Sequence, residues 1–537
     1  MDFFALTLTS LALCAITAAS TPSYDAKPQT PTVTIDSGVV AGTVTRLPSS
    51  ETTVNKFLGI PFGAPPVRFT PPKPVAPWDS VYDASDYKPA CIQQFSYPEE
   101  ARKRAIEWYN TPGPPAGESE DCLNLNVFAP ASGSGSPKAV LFWVYGGGYT
   151  SGTGSLPLYD GSSFAANQDI VVVTFNYRTN VFGFPGSSEL PPKEWNLGLL
   201  DQRLALDWVQ RNIAAFGGDP KMVTIVGESA GAGSVDGLIT SPPDPLPFRA
   251  AIFQSNDGSV PIIPSDPATS WKKLLETTKC ASDKALDCIR AISALELKEI
   301  VERQQLQFGP VPDGGATWAD SPRKDRLNST DQQSRIARVP VLVGSNADEA
   351  RVIVYGQNDT AAFLGNYISE EAAKVLINAY PIGTPGISSE FERLAAIVTD
   401  FAFQCLVKLL AEESTTVGID AWRYYFNASF PNTELFAESG VYHFSEIQHV
   451  FGTYPRKGAT KFEVEVSKGM QDAWANFAKN PSNGPGWEKV PQLGVLGGGA
   501  RVGADDTGRV VLEAIETESV DEKCVLYQQL YDIASGM

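Results

Sequence analysis

Gly227-Glu228-Ser229-Ala230-Gly231-Ala232-Gly233 follows the apolar run Met222 to Val226 and leads into a helix-compatible stretch. A strand feeding a sharp turn and then a helix is the setting that a G-x-S-x-G serine requires. The flanking glycines permit a strained turn that lifts the Ser229 hydroxyl clear of a sheet, at the N-terminus of a helix. The pattern recurs by chance in chains rich in glycine and serine, so its weight comes from its surroundings.

Those surroundings alternate between strand and helix. Ala139 to Tyr145, Ile170 to Tyr177 and Met222 to Val226 are short, nearly continuous apolar runs, which predicts strands buried on both faces. Leu199 to Phe216 has amphipathic helical spacing and ends at Gly217-Gly218-Asp219-Pro220, read as a helix stop and turn. Ala250 to Phe253, Val339 to Val343 and Trp422 to Phe426 are further strand candidates, while 260–335 and 370–420 read as mainly helical. Thr32 to Val44 alternates around Ser37-Gly38 as a small hairpin does. Lys56 to Trp78 is crowded with proline, and Pro481 to Gly503 is rich in proline and glycine; both read as irregular. The fold class is therefore α/β, with a large, mostly parallel or mixed sheet flanked by helices.

Residues 1–20 read as a secretory signal, with an apolar stretch from Phe3 to Ala19 and small residues at Ala18-Ala19-Ser20. No later stretch reads as a membrane span, so a soluble secreted protein is expected, with 21–537 as a single catalytic domain. Cys14 leaves with the signal, and an even set remains: Cys91, Cys122, Cys280, Cys288, Cys405 and Cys524. An even count fits disulfides formed in an oxidising compartment, with fifteen pairings open for six cysteines. The sequons at Asn328, Asn358 and Asn427 are candidate glycan acceptors. A net charge of -19 argues against a nucleic-acid partner. The sequence assigns no oligomeric state.

Chemistry narrows quickly because the chain contains only two histidines, His443 and His449. A serine hydroxyl needs a base to take its proton as it attacks. His443 is taken as that base and His449 as a hydrogen-bonded structural residue. A carboxylate must orient the imidazole, and Asp348 and Glu349 lie just beyond the strand candidate Val339 to Val343. Composition leaves both open. Tyr145-Gly146-Gly147-Gly148-Tyr149 follows another strand, and glycines there let backbone N–H groups face a substrate oxygen. The N–H of Ala230 completes such an oxyanion hole. Two histidines and an even cysteine set leave no evident metal ligands, so no cofactor is expected.

Several stretches resemble the type-B carboxylesterase family, the cholinesterase, carboxylesterase and fungal lipase group of α/β hydrolases. They are Phe57-Leu58-Gly59-Ile60-Pro61-Phe62, Ser119 to Asn126, the glycine run, Asn196 to Gln202, Phe216 to Pro220, the serine heptapeptide and Gly440-Val441-Tyr442-His443. The resemblance implies an α/β-hydrolase fold, Ser229 as nucleophile, Glu349 rather than Asp348 as acid, and His443 as base. It places Gly147, Gly148 and Ala230 at the oxyanion hole and Glu228 as an auxiliary carboxylate. It also implies the disulfides Cys91–Cys122, Cys280–Cys288 and Cys405–Cys524, the first closing a loop that acts as lid or gorge wall in relatives. Within that loop Tyr97, Ala101, Ala105 and Trp108 fall on one helical face, and Trp108 and Tyr109 near its end are candidates to lie over the pocket.

The chain departs from the family pattern at Ala350, where glycine is usual, at Asn256 and at Phe444. These departures bear on the shape of the pocket. The expected activity is hydrolysis of small-molecule esters with apolar or aromatic portions, through an acyl-enzyme. Acyl transfer or lactone chemistry on the same triad is one alternative. A non-catalytic recognition module on the same fold is the other.

Overall fold

The computed structural model describes residues 30–131, 135–255, 266–281 and 283–537. The expected signal segment 1–20, Cys14 and Asn256 lie outside the described residues. Among the described residues an 11-stranded sheet runs, from one edge, through Leu512–Glu516, Gln492–Leu496, Ala421–Phe426, Val341–Asn346, Ala250–Gln254 and Gly218–Glu228. It continues through Lys138–Val144, Val171–Phe175, Asn124–Pro130, Thr53–Pro61 and Thr43–Arg46. The strands from Gln492–Leu496 to Val171–Phe175 are all parallel. Both edges turn antiparallel. A small separate sheet contains the hairpin Thr32–Ile35 and Gly38–Ala41, as its alternation predicts.

The central strands read as continuous apolar runs because helices cover both faces. Val140, Phe142, Val171, Val173, Val223 and Ile225 are all fully buried. Each such side chain contributes roughly 1.5–3 kcal/mol relative to exposure. The helix Leu197–Asn212 continues as a 3-10 turn, Ile213–Phe216, and stops at Gly217, whose φ of 84° only glycine adopts freely. The expected turn at Gly217 to Pro220 is shorter than read, because the next strand already begins at Gly218, pairing with Lys138.

Three other expectations are corrected. The first part of Lys56 to Trp78 belongs to the strand Thr53–Pro61, with Phe57, Leu58 and Ile60 buried. Burial on both sides removes the alternation that marks a strand, and a bulge between Phe57 and Ile60 breaks its register. Gln492–Leu496 is likewise a strand inside a stretch read as irregular; it extends the parallel sheet beside Ala421–Phe426. The helical stretch Glu390–Thr416 is, by length and composition, apolar enough to cross a membrane, against the reading that no later stretch is. Of its apolar window 67% is buried inside the fold, as in the core helix of a water-soluble domain.

The helix Ala230–Thr240 begins at the serine turn, and every residue of it is buried. Its carboxylate, Asp236, pairs with the buried Arg326 at 2.5 Å, which satisfies a charge that would otherwise be costly. The helix sits against the sheet so closely that a Cβ on Gly231 would fall 2.1 Å from the Val144 carbonyl oxygen. Gly231→Ala is therefore expected to push the helix off the strand Lys138–Val144 and to destabilise the fold by about 2–3 kcal/mol. Urea unfolding checks this, and an unchanged midpoint would contradict so close a contact.

Candidate active site

Five adjacent parallel strands end on the same edge of the sheet, and each delivers a polar group there. Gly218–Glu228 leads to Ser229, Ala250–Gln254 to Ser255, Val341–Asn346 to Glu349, and Lys138–Val144 to the glycine run. Ala421–Phe426 leads, through a longer connection, to His443. Carboxyl ends of parallel strands collect function because the loops leaving them converge over one edge.

Ser229 has φ 55° and ψ -125°, a strained conformation for a residue with a side chain, at the start of the Ala230–Thr240 helix. Its N–H donates to the Gln254 carbonyl at 2.9 Å, which locks the turn to the neighbouring strand. The turn closes only because its neighbours lack side chains. A Cβ on Gly227 would meet the Gly231 carbonyl oxygen at 2.3 Å, and one on Gly146 would meet Glu228 Oε2 at 2.6 Å and Ser229 Cβ at 2.9 Å. Gly147 and Gly148 follow with φ of 105° and 61°. No acceptor among the described residues takes the N–H of Gly147, Gly148 or Ala230.

His443 lies between two carboxylates. Its Nδ1 is 2.7 Å from Glu349 Oε2 and its Nε2 is 3.1 Å from Glu228 Oε1. The Nδ1 contact is a hydrogen bond, and the Nε2 contact is an ion pair whenever the ring is protonated. Ser229 is adjacent to Glu228, but no hydrogen bond joins its hydroxyl to the imidazole among the described residues. Burial alone would pull the imidazole down; the charge of Glu228, the Glu349 hydrogen bond, and the charges of Glu349 and Glu446 outweigh it and hold the group above its ordinary value.

Glu349 is fully buried and held by more than the imidazole. Its Oε1 accepts from the Asn346 N–H at 2.7 Å and from the Ser255 hydroxyl at 2.5 Å. Asp348, the other acid left open by composition, points elsewhere: its carboxylate accepts the Val441 N–H at 2.9 Å and pairs with Arg351 at 3.1 Å. Asp348 thereby anchors the His443 loop, and the His443 N–H adds a bond to the Glu349 carbonyl at 3.1 Å. His449 is buried, with Nε2 3.2 Å from Glu463 and its ring stacked on Tyr454, away from the serine turn.

Three residues of this centre escaped the sequence reading. Glu446 is buried three positions after His443, accepting from Gln254 at 3.0 Å and Asn346 at 2.6 Å. Burial and the charge of Glu349 push its carboxyl up to about 7, against the pull of those two amides. Ser255 adopts φ 53° to reach Glu349, and Phe403 packs on the imidazole with ring centroids 4.8 Å apart. Ser255 directly precedes Asn256, where the sequence departs from the family pattern, but nothing there pointed to a bond with Glu349. Glu446 and Phe403 carried no local signal, because their roles arise from contacts across the fold.

The three disulfides implied by the resemblance are formed: Cys91–Cys122, Cys280–Cys288 and Cys405–Cys524. The first encloses the helix Glu99–Tyr109, none of whose residues is fully buried. It lies over the site by its last turn. Trp108 stacks on Phe436 at 5.4 Å, and Tyr109 meets the edge of Phe444 at 5.8 Å, beside His443. Burial, then the proximity of Tyr442, Glu228 and Glu349, raises the Tyr109 phenol well above its ordinary value. The bulky Phe444, with φ 84°, thus forms part of the wall between this helix and the imidazole. Asn328 and Asn358 are exposed, whereas Asn427 is half-buried with its side-chain oxygen on Arg501 at 2.5 Å.

Residues 29–494 match the model of the carboxylesterase family. The chain belongs to that family. Cholinesterase of Mus musculus is 31% identical over 469 residues, covering 80% of this chain and 75% of that protein. Acetylcholinesterase of Bungarus fasciatus is 33% identical over 481 residues, covering 81% and 77% respectively. That of Electrophorus electricus is 34% identical over 519 residues, covering 83% and 79%. The mixed sheet and its helices are accordingly the α/β-hydrolase fold, and this carboxylesterase-family chain is a carboxylic ester hydrolase by kinship. Its disulfides fit an oxidising compartment.

Because Glu228 is the largest charge acting on the imidazole, Glu228→Gln is expected to move the His443 titration to lower pH. With two histidines in the chain, NMR of the ring protons follows each separately. An unmoved midpoint would remove Glu228 from the field that the imidazole feels.

Proposed function

We propose that the protein is a secreted serine carboxylic-ester hydrolase that works through an acyl-enzyme. Ser229 Oγ attacks the ester carbonyl, its proton passes to His443 Nε2, and Glu349 holds the opposite nitrogen. The oxyanion that forms is received by the N–H groups of Gly147, Gly148 and Ala230. The imidazolium returns its proton to the leaving alkoxide, and water repeats the sequence to release the acid. Residues 21–537 act as the catalytic domain after loss of 1–20, with glycans on the exposed Asn328 and Asn358.

The observation that carries this reading is the His443–Glu349 contact of 2.7 Å beside a serine held in a strained turn. For transfer to begin, Nε2 must exchange Glu228 Oε1 for the hydroxyl of the next residue, a rearrangement within one turn of chain. Removing one oxyanion donor in such a site typically costs about 3–4 kcal/mol of transition-state stabilisation. The aromatic surroundings support an apolar or aromatic substrate portion: Tyr109, Phe444 and Phe403 lie around the imidazole, and Tyr149 packs on Phe184 and Trp318 just after the glycine run. The names of the relatives bring choline esters into the panel as a second substrate class.

A fluorophosphonate probe is expected to add one covalent label at Ser229, located by peptide mass spectrometry and lost in Ser229→Ala. An unlabelled wild-type protein would leave only a binding role. On an ester panel pairing a choline ester with its uncharged isostere, the uncharged member is expected to turn over at least as well. The same panel with alcohol acceptors and lactones separates hydrolysis from acyl transfer. His443→Ala is expected to lower turnover about 10⁴-fold, whereas His449→Ala should cost far less per folded molecule. Since the base works only when neutral and its pKa is raised, kcat/KM should fall on the acid side at a pH above the ordinary histidine value. An acid limb at or below that value would contradict the carboxylate cage.

A further inference from the structure

We propose that Gln93 is a positioning residue that joins the loop closed by Cys91–Cys122 to the glycine turn, so that the two are held as one piece. The proposal rests on the catalytic reading above and extends it. Gln93 is fully buried, and all of its amide is used. Its Oε1 accepts the N–H of Gly152 at 2.8 Å. Its Nε2 donates to Glu118 Oε1 at 3.3 Å and toward Asn110 Oδ1 at 3.4 Å. Asn110 is the C-cap of the helix Glu99–Tyr109, and Glu118 lies on the returning arm of the same loop. One side chain therefore touches the covering helix, its return strand and the glycine turn.

What Gly152 does explains why this matters. The chain doubles back so tightly after Gly148 that a Cβ on Gly152 would meet the Gly146 carbonyl oxygen at 2.6 Å and the Tyr145 ring at 2.5 Å. A Cβ on Gly147 would meet the Ser151 carbonyl oxygen at 2.5 Å. Fixing Gly152 thus fixes the backbone that carries the Gly147 and Gly148 N–H groups. Further bonds hold the same turn: the Gln94 N–H donates to the Thr150 carbonyl at 2.9 Å, and the Asn180 N–H to the Tyr149 carbonyl at 2.7 Å. Asn180 Nδ2 bridges the Ile92 and Thr150 carbonyls at 2.8 and 3.2 Å.

The outer end of the link is anchored as well. Glu118 Oε2 accepts from Lys298 Nζ at 2.7 Å and from the Gln93 N–H at 3.2 Å. The two arms of the loop pair directly, with the Ser119 N–H on the Ala90 carbonyl and the Ala90 N–H on the Gly117 carbonyl, both 2.9 Å. Gly152 is half-buried and its N–H bonds no acceptor but Gln93 among the described residues, so losing Gln93 leaves that donor to find another partner and frees the turn it holds. Such a displacement touches transition-state stabilisation, because the donors must sit within hydrogen-bond distance of the oxyanion and not of the ground-state carbonyl.

The test compares wild type, Gln93→Leu and Glu118→Gln with 4-nitrophenyl butyrate as substrate and an aryl trifluoromethyl ketone as inhibitor. That ketone adds Ser229 Oγ to its carbonyl carbon; the hydroxyl proton goes to His443 and the carbonyl π pair becomes the oxyanion. Active-site titration counts the competent molecules. Gln93→Leu is expected to lower kcat per titrated site about 10-fold or more, to leave KM within about 3-fold, and to weaken the ketone by a like factor. Glu118→Gln should act in the same pattern to a smaller degree, and it decides the matter if the leucine variant does not fold. Variants that lose only folded protein, with kcat per site and ketone affinity unchanged, overturn the proposal. So does a change confined to KM. Wild type that neither labels at Ser229 nor hydrolyses the ester fails the catalytic reading instead, which keeps the two failures apart.

Discussion

An imidazole held between two buried carboxylates is the interaction around which this site is organised. Glu349 and Glu228 take opposite nitrogens of His443, and a third buried carboxyl, Glu446, stands behind them. Three acids so close in a water-poor region cannot all ionise cheaply. Glu349 accepts from Asn346 and Ser255 as well as lying against the imidazole. Glu446 has only amide partners and is pushed up to about 7. The field that results favours a cationic imidazole.

That electrostatic cage depends on a backbone packed more closely than side chains permit. The serine turn, the first turn of its helix and the glycine run approach one another at Gly146, Gly227 and Gly231 with no space for a Cβ. The strain at Ser229 persists because the surrounding sheet holds both ends: the strand before it pairs on both sides, and its own N–H is tied to the strand Ala250–Gln254. The same close packing continues through Gly147 and Gly152, where a glutamine from the disulfide-closed loop completes the support. The covering helix and the glycine turn therefore belong to one continuous structure.

Much of this was legible in the sequence, and the parts that were not share a cause. Apolar runs marked the central strands because burial on both faces demands them, and the run Ala139 to Tyr145 corresponds to Lys138–Val144. The strand Thr53–Pro61 was hidden by its bulge, by Gly59 and by the prolines after it. Histidine scarcity reduced the candidate bases to two, and the fold separates them: one ring meets Glu349 and Glu228, the other Glu463 and Tyr454. Composition left Asp348 and Glu349 open, and only the family resemblance favoured Glu349. In the fold the adjacent carboxylates diverge, one onto the Val441 backbone and the other onto the imidazole.

By itself the amino-acid order determined the sheet-forming runs, the strained serine turn with its obligatory glycines and the choice between just two histidines. These are local properties, set by side-chain volume, backbone freedom and residue type. Tertiary structure alone decided that Ser255 and Asn346 bond the Glu349 carboxylate, that Glu446 is buried beside it, and that Phe403 packs on the imidazole. Each of those choices is a distance of a few ångströms between residues far apart along the chain, and hydrogen bonds and Coulomb interactions read distance in space and not position in sequence.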